Sequence, residues 1–160
     1  MDFASLYIDR GLNFDFLVRR KNIFIIHGHD ELNLEKLQNL LFKFNLIPLT
    51  MGEYQTFSSI TIIEKFEKLS AKCKYAIALC TPDDLIQKDD KQFYQPRPNV
   101  LYEIGWFCGK FGRNKVMILV KEGTEIFSDF QGVLQVRFKS TVKECYSDLH
   151  LALKSQHLLR

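Results

Sequence analysis

One acidic residue in this sequence is set apart by its surroundings. Glu103 stands in Asn99-Val100-Leu101-Tyr102-Glu103-Ile104-Gly105-Trp106-Phe107, a single charge amid apolar bulk, and such a charge is costly to bury unpaired. Helical spacing stacks residues i and i+4, so Asn99 and Glu103 point together. An amide beside a carboxylate suits a ribosyl substrate: the carboxylate can accept hydrogen bonds from sugar hydroxyls and stabilise positive charge on the anomeric carbon as an N-glycosidic bond breaks. The same spacing also fits a solvated glutamate near a helix start, favoured there by the helix dipole.

His27-Gly28-His29-Asp30 is a second constellation. Gly28 lets backbone approach a ligand closely, and N–H groups and imidazoles at a helix start can bind phosphate or ribose. A helix cap with a turn fits the same residues. Two histidines and an aspartate also resemble a metal site, but no other Cys or His completes a ligand spacing, so no metal is expected. The loop Glu53-Tyr54-Gln55-Thr56-Phe57-Ser58-Ser59 offers Phe57 to stack on a base or pack beneath the loop. Ser58 and Ser59 serve equally as caps, with Thr61 and Glu64 nearby. Thr81-Pro82-Asp83-Asp84 reads first as a turn and second as an acid against ribose. P-loop, G-x-G-x-x-G and G-x-S-x-G motifs do not occur, which removes the usual kinase, dinucleotide-oxidoreductase and serine-hydrolase readings.

The elements that must position these residues follow from hydrophobic patterning. Residues 1–20 read as an N-terminal helix or arm, and residues 21–160 as the domain proper. Asn22 to Ile26 is a buried strand, and Leu34, Leu37, Leu40, Leu41 and Phe44 then recur at helical spacing, with Asp30 or Asn33 as cap. Leu46 to Leu49 is a second strand, placed at an edge by Pro48. A helix over 59–71, a strand at Tyr75 to Cys80 and a polar segment from Gln87 to Gln95 follow. Pro98 opens a helix with a core stripe of Val100, Ile104, Phe107 and Phe111, and Gly112 closes it. Val116 to Val120 is a fourth strand, Ile126 to Phe130 a short helical piece, Val133 to Phe138 a fifth strand, and Val142 to Leu153 a last helix.

Strands alternating with helices predict an α/β, three-layer, flavodoxin-like domain with a five-stranded parallel sheet of order 2-1-3-4-5. Crossover helices leave strands 1 and 3 in opposite directions, opening a crevice beyond their carboxyl ends. That crevice gathers the loops carrying the candidate residues. Composition agrees with one globular domain: 160 residues, 46% hydrophobic and 26% charged, with a net charge of +3. That excess is too small to predict a nucleic-acid partner, and no apolar run is long enough to span a bilayer. Four cysteines without C-x-x-C spacing, and no cleavable signal, predict reduced thiols in a cytoplasm.

From about residue 21 to 140 the chain resembles the TIR (Toll/interleukin-1 receptor) domains, in particular the bacterial TIR-like predicted nucleotide-binding effectors. The resemblance lies in Ile23-Phe24-Ile25-Ile26-His27-Gly28-His29-Asp30-Glu31, Thr61-Ile62-Ile63-Glu64-Lys65-Phe66-Glu67, Thr81-Pro82-Asp83-Asp84 and, most heavily, Arg97-Pro98-Asn99-Val100-Leu101-Tyr102-Glu103-Ile104-Gly105. It implies an NAD glycohydrolase or cyclase. Such an enzyme cleaves the nicotinamide–ribose bond to give nicotinamide and ADP-ribose or a cyclic isomer, with NAD as substrate and no cofactor. Glu103 would bind the nicotinamide ribose and stabilise the oxocarbenium-like state, and Asn99 and Arg97 would orient it and contact the substrate. His27, Gly28, His29, Asp30, Phe57, Ser58, Ser59 and Asp83 would line the nucleotide path.

Two positions depart from the family pattern: Asn99 stands where many enzymatic members have Trp, and Ser59-Ile60 where a glycine and a basic residue are common. The resemblance also implies self-association for activity, a role in bacterial anti-phage defence, and a separate sensor protein or small activating ligand. Three other readings are a nucleoside deoxyribosyltransferase-like enzyme with its glutamate in a similar Glu-x-Gly setting, a catalytically silent TIR interaction module, and a phosphoacceptor receiver domain. The last needs an aspartate at the end of the third strand, where Cys80-Thr81-Pro82 stands instead.

Overall fold

Ile23, Phe24, Ile25 and Ile26 have almost no exposed surface on either face of their strand, the mark of a central parallel strand covered by helices on both sides. This strand is β1, Lys21–His27, in a computed structural model that describes residues 21–52 and 61–159. The expected N-terminal arm, the loop carrying Phe57, Ser58 and Ser59, and the first residues of the expected second helix lie outside the described residues.

Helix α1, Glu31–Lys43, leads to β2, Leu46–Leu49. Helix α2, Ile62–Ser70, leads to β3, Ala76–Cys80. Strands β4, Asp84–Lys88, and β5, Lys91–Gln95, precede helix α3, Pro98–Phe111. Strand β6, Val116–Lys121, and strand β7, Leu134–Phe138, precede helix α4, Tyr146–Ser155. The main sheet runs β2-β1-β3-β6-β7 with every pair parallel. With β4 and β5 set aside, this is the flavodoxin-like order 2-1-3-4-5, and Pro48 lies on an edge strand as expected.

Alternation along the strands splits the core in two. Ile23, Ile25, Ile77, Leu79, Met117 and Leu119 face Leu37 and Leu41 of α1 and Leu149 and Leu153 of α4. Phe24, Ile26, Ala78, Cys80, Ile118 and Val120 face Phe66 of α2 and Val100, Ile104 and Phe107 of α3. The second half is aromatic. Phe24 and Phe66 meet edge to face at 5.4 Å and Phe66 and Trp106 at 5.0 Å, while Phe24 and Phe107 lie tilted at 5.5 Å. Each such side chain contributes about 1.5–3 kcal/mol by burial. These rings fix α3 on the sheet, and with it the direction in which Asn99 and Glu103 project.

Three local expectations are corrected. The polar segment Gln87 to Gln95 belongs to an antiparallel hairpin, in which Leu85 pairs with Tyr94 and Ile86 with Phe93 across an Asp89-Asp90 turn. Asp89 takes the left-handed conformation at φ 53°, so an aspartate does here what glycine commonly does in a two-residue turn. Tyr94 bridges to Thr124, and the Glu125 N–H donates to the Tyr94 carbonyl at 2.8 Å, tying the hairpin to the loop beyond β6. The helical piece near Ile126 shrinks to a single 3₁₀ turn at Ser128–Phe130. The last helix begins as a 3₁₀ turn over Val142–Cys145, where Thr141 and Glu144 form a capping box. Gly112 closes α3 at φ 93°, as expected of a helix-terminating glycine. Among the described residues no helix is long and apolar enough to cross a membrane.

Candidate active site

In a parallel sheet neighbouring strands end on the same side, and His27 of β1 lies in register with Leu79 of β3. The loops after these two strands therefore touch. A methyl group at Gly28 would fall 1.9 Å from Asp83 Oδ2, so the absence of a side chain at Gly28 is what admits Asp83. Asp83 Oδ1 accepts from Thr81 Oγ1 at 2.8 Å and from the His29 N–H at 3.4 Å. Its Oδ2 is buried with no hydrogen-bond partner among the described residues. Asp83 thus braces the β1 loop from behind.

Asp30 is held as firmly in another direction. Its Oδ1 accepts from the Asn33 N–H at 3.0 Å, and its Oδ2 accepts from Asn33 Nδ2 at 2.8 Å and Lys121 Nζ at 2.7 Å. Partial burial alone would raise its pKa, but the bonds from Lys121 and Asn33 outweigh that and hold the carboxyl below its ordinary value. Asn33 itself is buried, and its Oδ1 accepts from the Val142 N–H at 2.9 Å. Asp30 is therefore the α1 cap and the anchor of β6.

In front of this bracing lies an open cavity of about 300 Å³. His27, Gly28 and His29 form one wall, Arg97, Asn99 and Glu103 another, and Ile25, Met51, Gly52, Ile62 and Val100 complete the lining. Six of the residues expected at the site thus meet at one hollow, although His29 and Arg97 are 68 positions apart. Asp30 and Asp83 stand behind the wall instead of on it. Phe57, Ser58 and Ser59 lie outside the described residues. Met51, Gly52 and Ile62 were missed, as was the tie from Lys121 to Asp30. The clue to that tie was available: Lys121 ends the fourth sheet strand, on the side of the sheet where the α1 cap must lie.

The two histidines are differently engaged. His27 Nδ1 lies 2.9 Å from the Gly28 carbonyl oxygen. His29 Nε2 is in close contact with Arg97 Nη1. A guanidinium can only donate, so that imidazole nitrogen must be the acceptor.

Glu103 is half-buried, and among the described residues it has neither a hydrogen-bond partner nor a counterion. Burial pushes its pKa up to about 7. Asn99 is exposed one turn earlier on the same helix, where Pro98 occupies the first position and no acid stands in the first turn. A carboxyl of this kind can accept from vicinal hydroxyls and can face a developing cation.

The residues carrying this geometry fall in a span, 22–140, that matches the model of the family described as CAP12/Pycsar effector protein, TIR domain. The chain belongs to this family. It is 42% identical to the uncharacterized protein YuaY of Escherichia coli K12, over 71% of this chain and 38% of that protein. It is 31% identical to the Pycsar effector protein PaPycTIR of Pseudomonas aeruginosa, over 64% of this chain and 33% of that one. The chain spans a third to two-fifths of the length of these two relatives. In fold it is similar to a 2-deoxyribosyltransferase from Bacillus psychrosaccharolyticus, with a TM-score of 0.53 at 16% identity, over 80% of this chain and 89% of that one.

Proposed function

We propose that this TIR domain is an NAD glycohydrolase or cyclase that breaks the nicotinamide–ribose bond, with Glu103 as the catalytic residue. The observation that carries this reading is a half-buried carboxyl with no partner among the described residues, facing a cavity large enough for a nicotinamide riboside unit. In its ionised form Glu103 accepts hydrogen bonds from the ribose hydroxyls. As the glycosidic bond lengthens, nicotinamide departs with the bonding pair as a neutral base, and positive charge spreads over the anomeric carbon and ring oxygen. The carboxylate lies close to that charge, in a setting where it is poorly screened. Water, or a nucleophile within the same molecule, then takes the anomeric carbon, giving ADP-ribose or a cyclic isomer.

Asn99 orients the carboxylate and the ribose from one turn away, and His27 and Gly28 shape the opposite wall. NAD is the substrate, and the reaction as written uses no metal and no cofactor. Family membership supports a role in bacterial anti-phage defence, in the cytoplasm. The names of relatives such as PaPycTIR place them as effectors, which supports a separate sensor upstream; self-association as the switch belongs to the same proposal.

The test is nicotinamide release, followed by chromatography and mass spectrometry. Glu103→Gln keeps the shape and removes the charge. Turnover should fall about a hundredfold or more, the scale of losing a principal electrostatic group, while the fold is retained. Undiminished turnover in a folded Glu103→Gln protein would falsify the mechanism.

A further inference from the structure

We propose that Arg97 and His29 form a phosphate-reading subsite at the mouth of the cavity, which makes the enzyme prefer phosphorylated ribosyl substrates to free nucleosides. The inference rests on the NAD-cleaving reading for its kinetic test, and on binding alone for its second.

Arg97 is exposed and lies immediately before α3, and its guanidinium meets His29 Nε2 across the opening. A neutral ring nitrogen is a weak partner for a guanidinium, whose five donors match the oxygens of a carboxylate or phosphate. Among the described residues no carboxylate pairs with Arg97, whereas Lys121 closes onto Asp30 at 2.7 Å. The nearby acids do not reach it. Asp83 Oδ1 is taken by Thr81 and the His29 N–H, its unpartnered Oδ2 is buried against Gly28, and among the described residues no cation pairs with Glu103.

Spacing fixes what the pair can read. Arg97, the residue before α3, and Glu103 within it are six positions apart, roughly 9 Å along the axis at about 1.5 Å per residue. That span fits a ribose whose anomeric carbon lies at Glu103 and whose 5′-phosphate reaches Arg97. An arriving phosphate accepts from the guanidinium fork and displaces the imidazole contact, leaving His29 free to donate from the other side. A nucleoside without phosphate leaves the guanidinium as it was and gains nothing from it.

Two substrates with the same scissile bond isolate the effect: NAD and nicotinamide riboside, of which only NAD carries phosphates. The readout is the ratio of kcat/KM for NAD to kcat/KM for nicotinamide riboside. In Arg97→Gln that ratio should fall about tenfold to a hundredfold, the worth of a charge-assisted contact. Arg97→Lys keeps the charge but loses the fork, and should lie between. An unchanged ratio in Arg97→Gln overturns the proposal.

If the wild type cleaves neither substrate, the NAD-cleaving reading fails and calorimetry with ADP-ribose decides the subsite. Binding at least tenfold weaker in Arg97→Gln supports the subsite. Equal affinity in the two proteins, or no binding by the wild type, overturns it. Arg97 is exposed, so matching melting temperatures should show that the variant folds.

Discussion

The starts of α1 and α3 face the same end of the sheet and are built in opposite ways. At α1, Asp30 accepts from the Asn33 N–H, Glu31 stands in the first turn, and Lys121 neutralises the cap from β6. Nothing is left over. At α3, Arg97 makes no side-chain capping bond, Pro98 takes the position where an N–H would go unused, and no acid occupies the first turn. The carboxyl a turn further in, Glu103, has no partner among the described residues. The two acids accordingly shift in opposite directions, Asp30 down through its bonds to Lys121 and Asn33 and Glu103 up to about 7 through burial. A carboxylate whose needs the chain satisfies is structural. One that the chain leaves unsatisfied, at the cost of stability, is available to a ligand.

The pH dependence of turnover breaks or sharpens this contrast most strongly. The mechanism needs Glu103 ionised, and kcat/KM reports ionisations of the free enzyme. On NAD it should therefore fall about tenfold for each pH unit below about 7, reaching roughly a hundredfold at pH 5. Asp30, held below the ordinary carboxylate value, stays ionised through that range and adds no limb of its own. A flat profile between pH 5 and 8 would remove Glu103 from the role of charged stabiliser.

Asp30→Ala comes next in size. It removes a helix cap and the counterion of Lys121, and should cost about 2 kcal/mol at pH 7 in denaturant unfolding. The sign with pH follows from its lowered pKa. This stabilisation is present above the unfolded-state pKa near 3.8 and is lost as pH falls through the lower folded-state value. The gap between wild type and variant should therefore narrow in acid. A gap that stays constant to pH 2 would mean that the Lys121 contact contributes nothing.

How much of this was legible in the sequence depends on the range of the interaction. Strand order, the edge placement of β2, the Pro98 start and the Gly112 stop are local or follow from alternation, and all were readable. The hairpin was not, because Asp89-Asp90 lacks the glycine that marks such turns and Gln87 to Gln95 has weak apolar alternation. The meeting of His27, Gly28 and His29 with Arg97, Asn99 and Glu103 was legible through topology, since a parallel sheet brings the loops after strands 1 and 3 together. The division of labour among the acids was not. Asp83 reaches Gly28 through a contact that no spacing encodes, and the bond from Lys121 to Asp30 spans 91 positions. Spacing alone could not tell which carboxylates the fold itself would occupy.

The smallest expected effect tests that division directly. Glu103 has a folded-state pKa raised from 4.5 to about 7, so the native state holds this proton more tightly than the unfolded chain does. Its contribution to stability is most favourable below about pH 4.5, declines as pH rises towards about 7, and is constant above that. Glu103→Gln removes the penalty of ionising a half-buried carboxyl. At about 1.4 kcal/mol per pKa unit the shift sets an upper bound of about 3–4 kcal/mol, which solvent access at the cavity mouth reduces to about 1 kcal/mol. The inactive variant should therefore melt a few degrees above wild type at pH 8, and the difference should vanish near pH 4. A variant less stable than wild type at pH 8 would show that the Glu103 carboxylate is paired in the folded protein, as Asp30 is. The distinction between the two helix starts would then collapse.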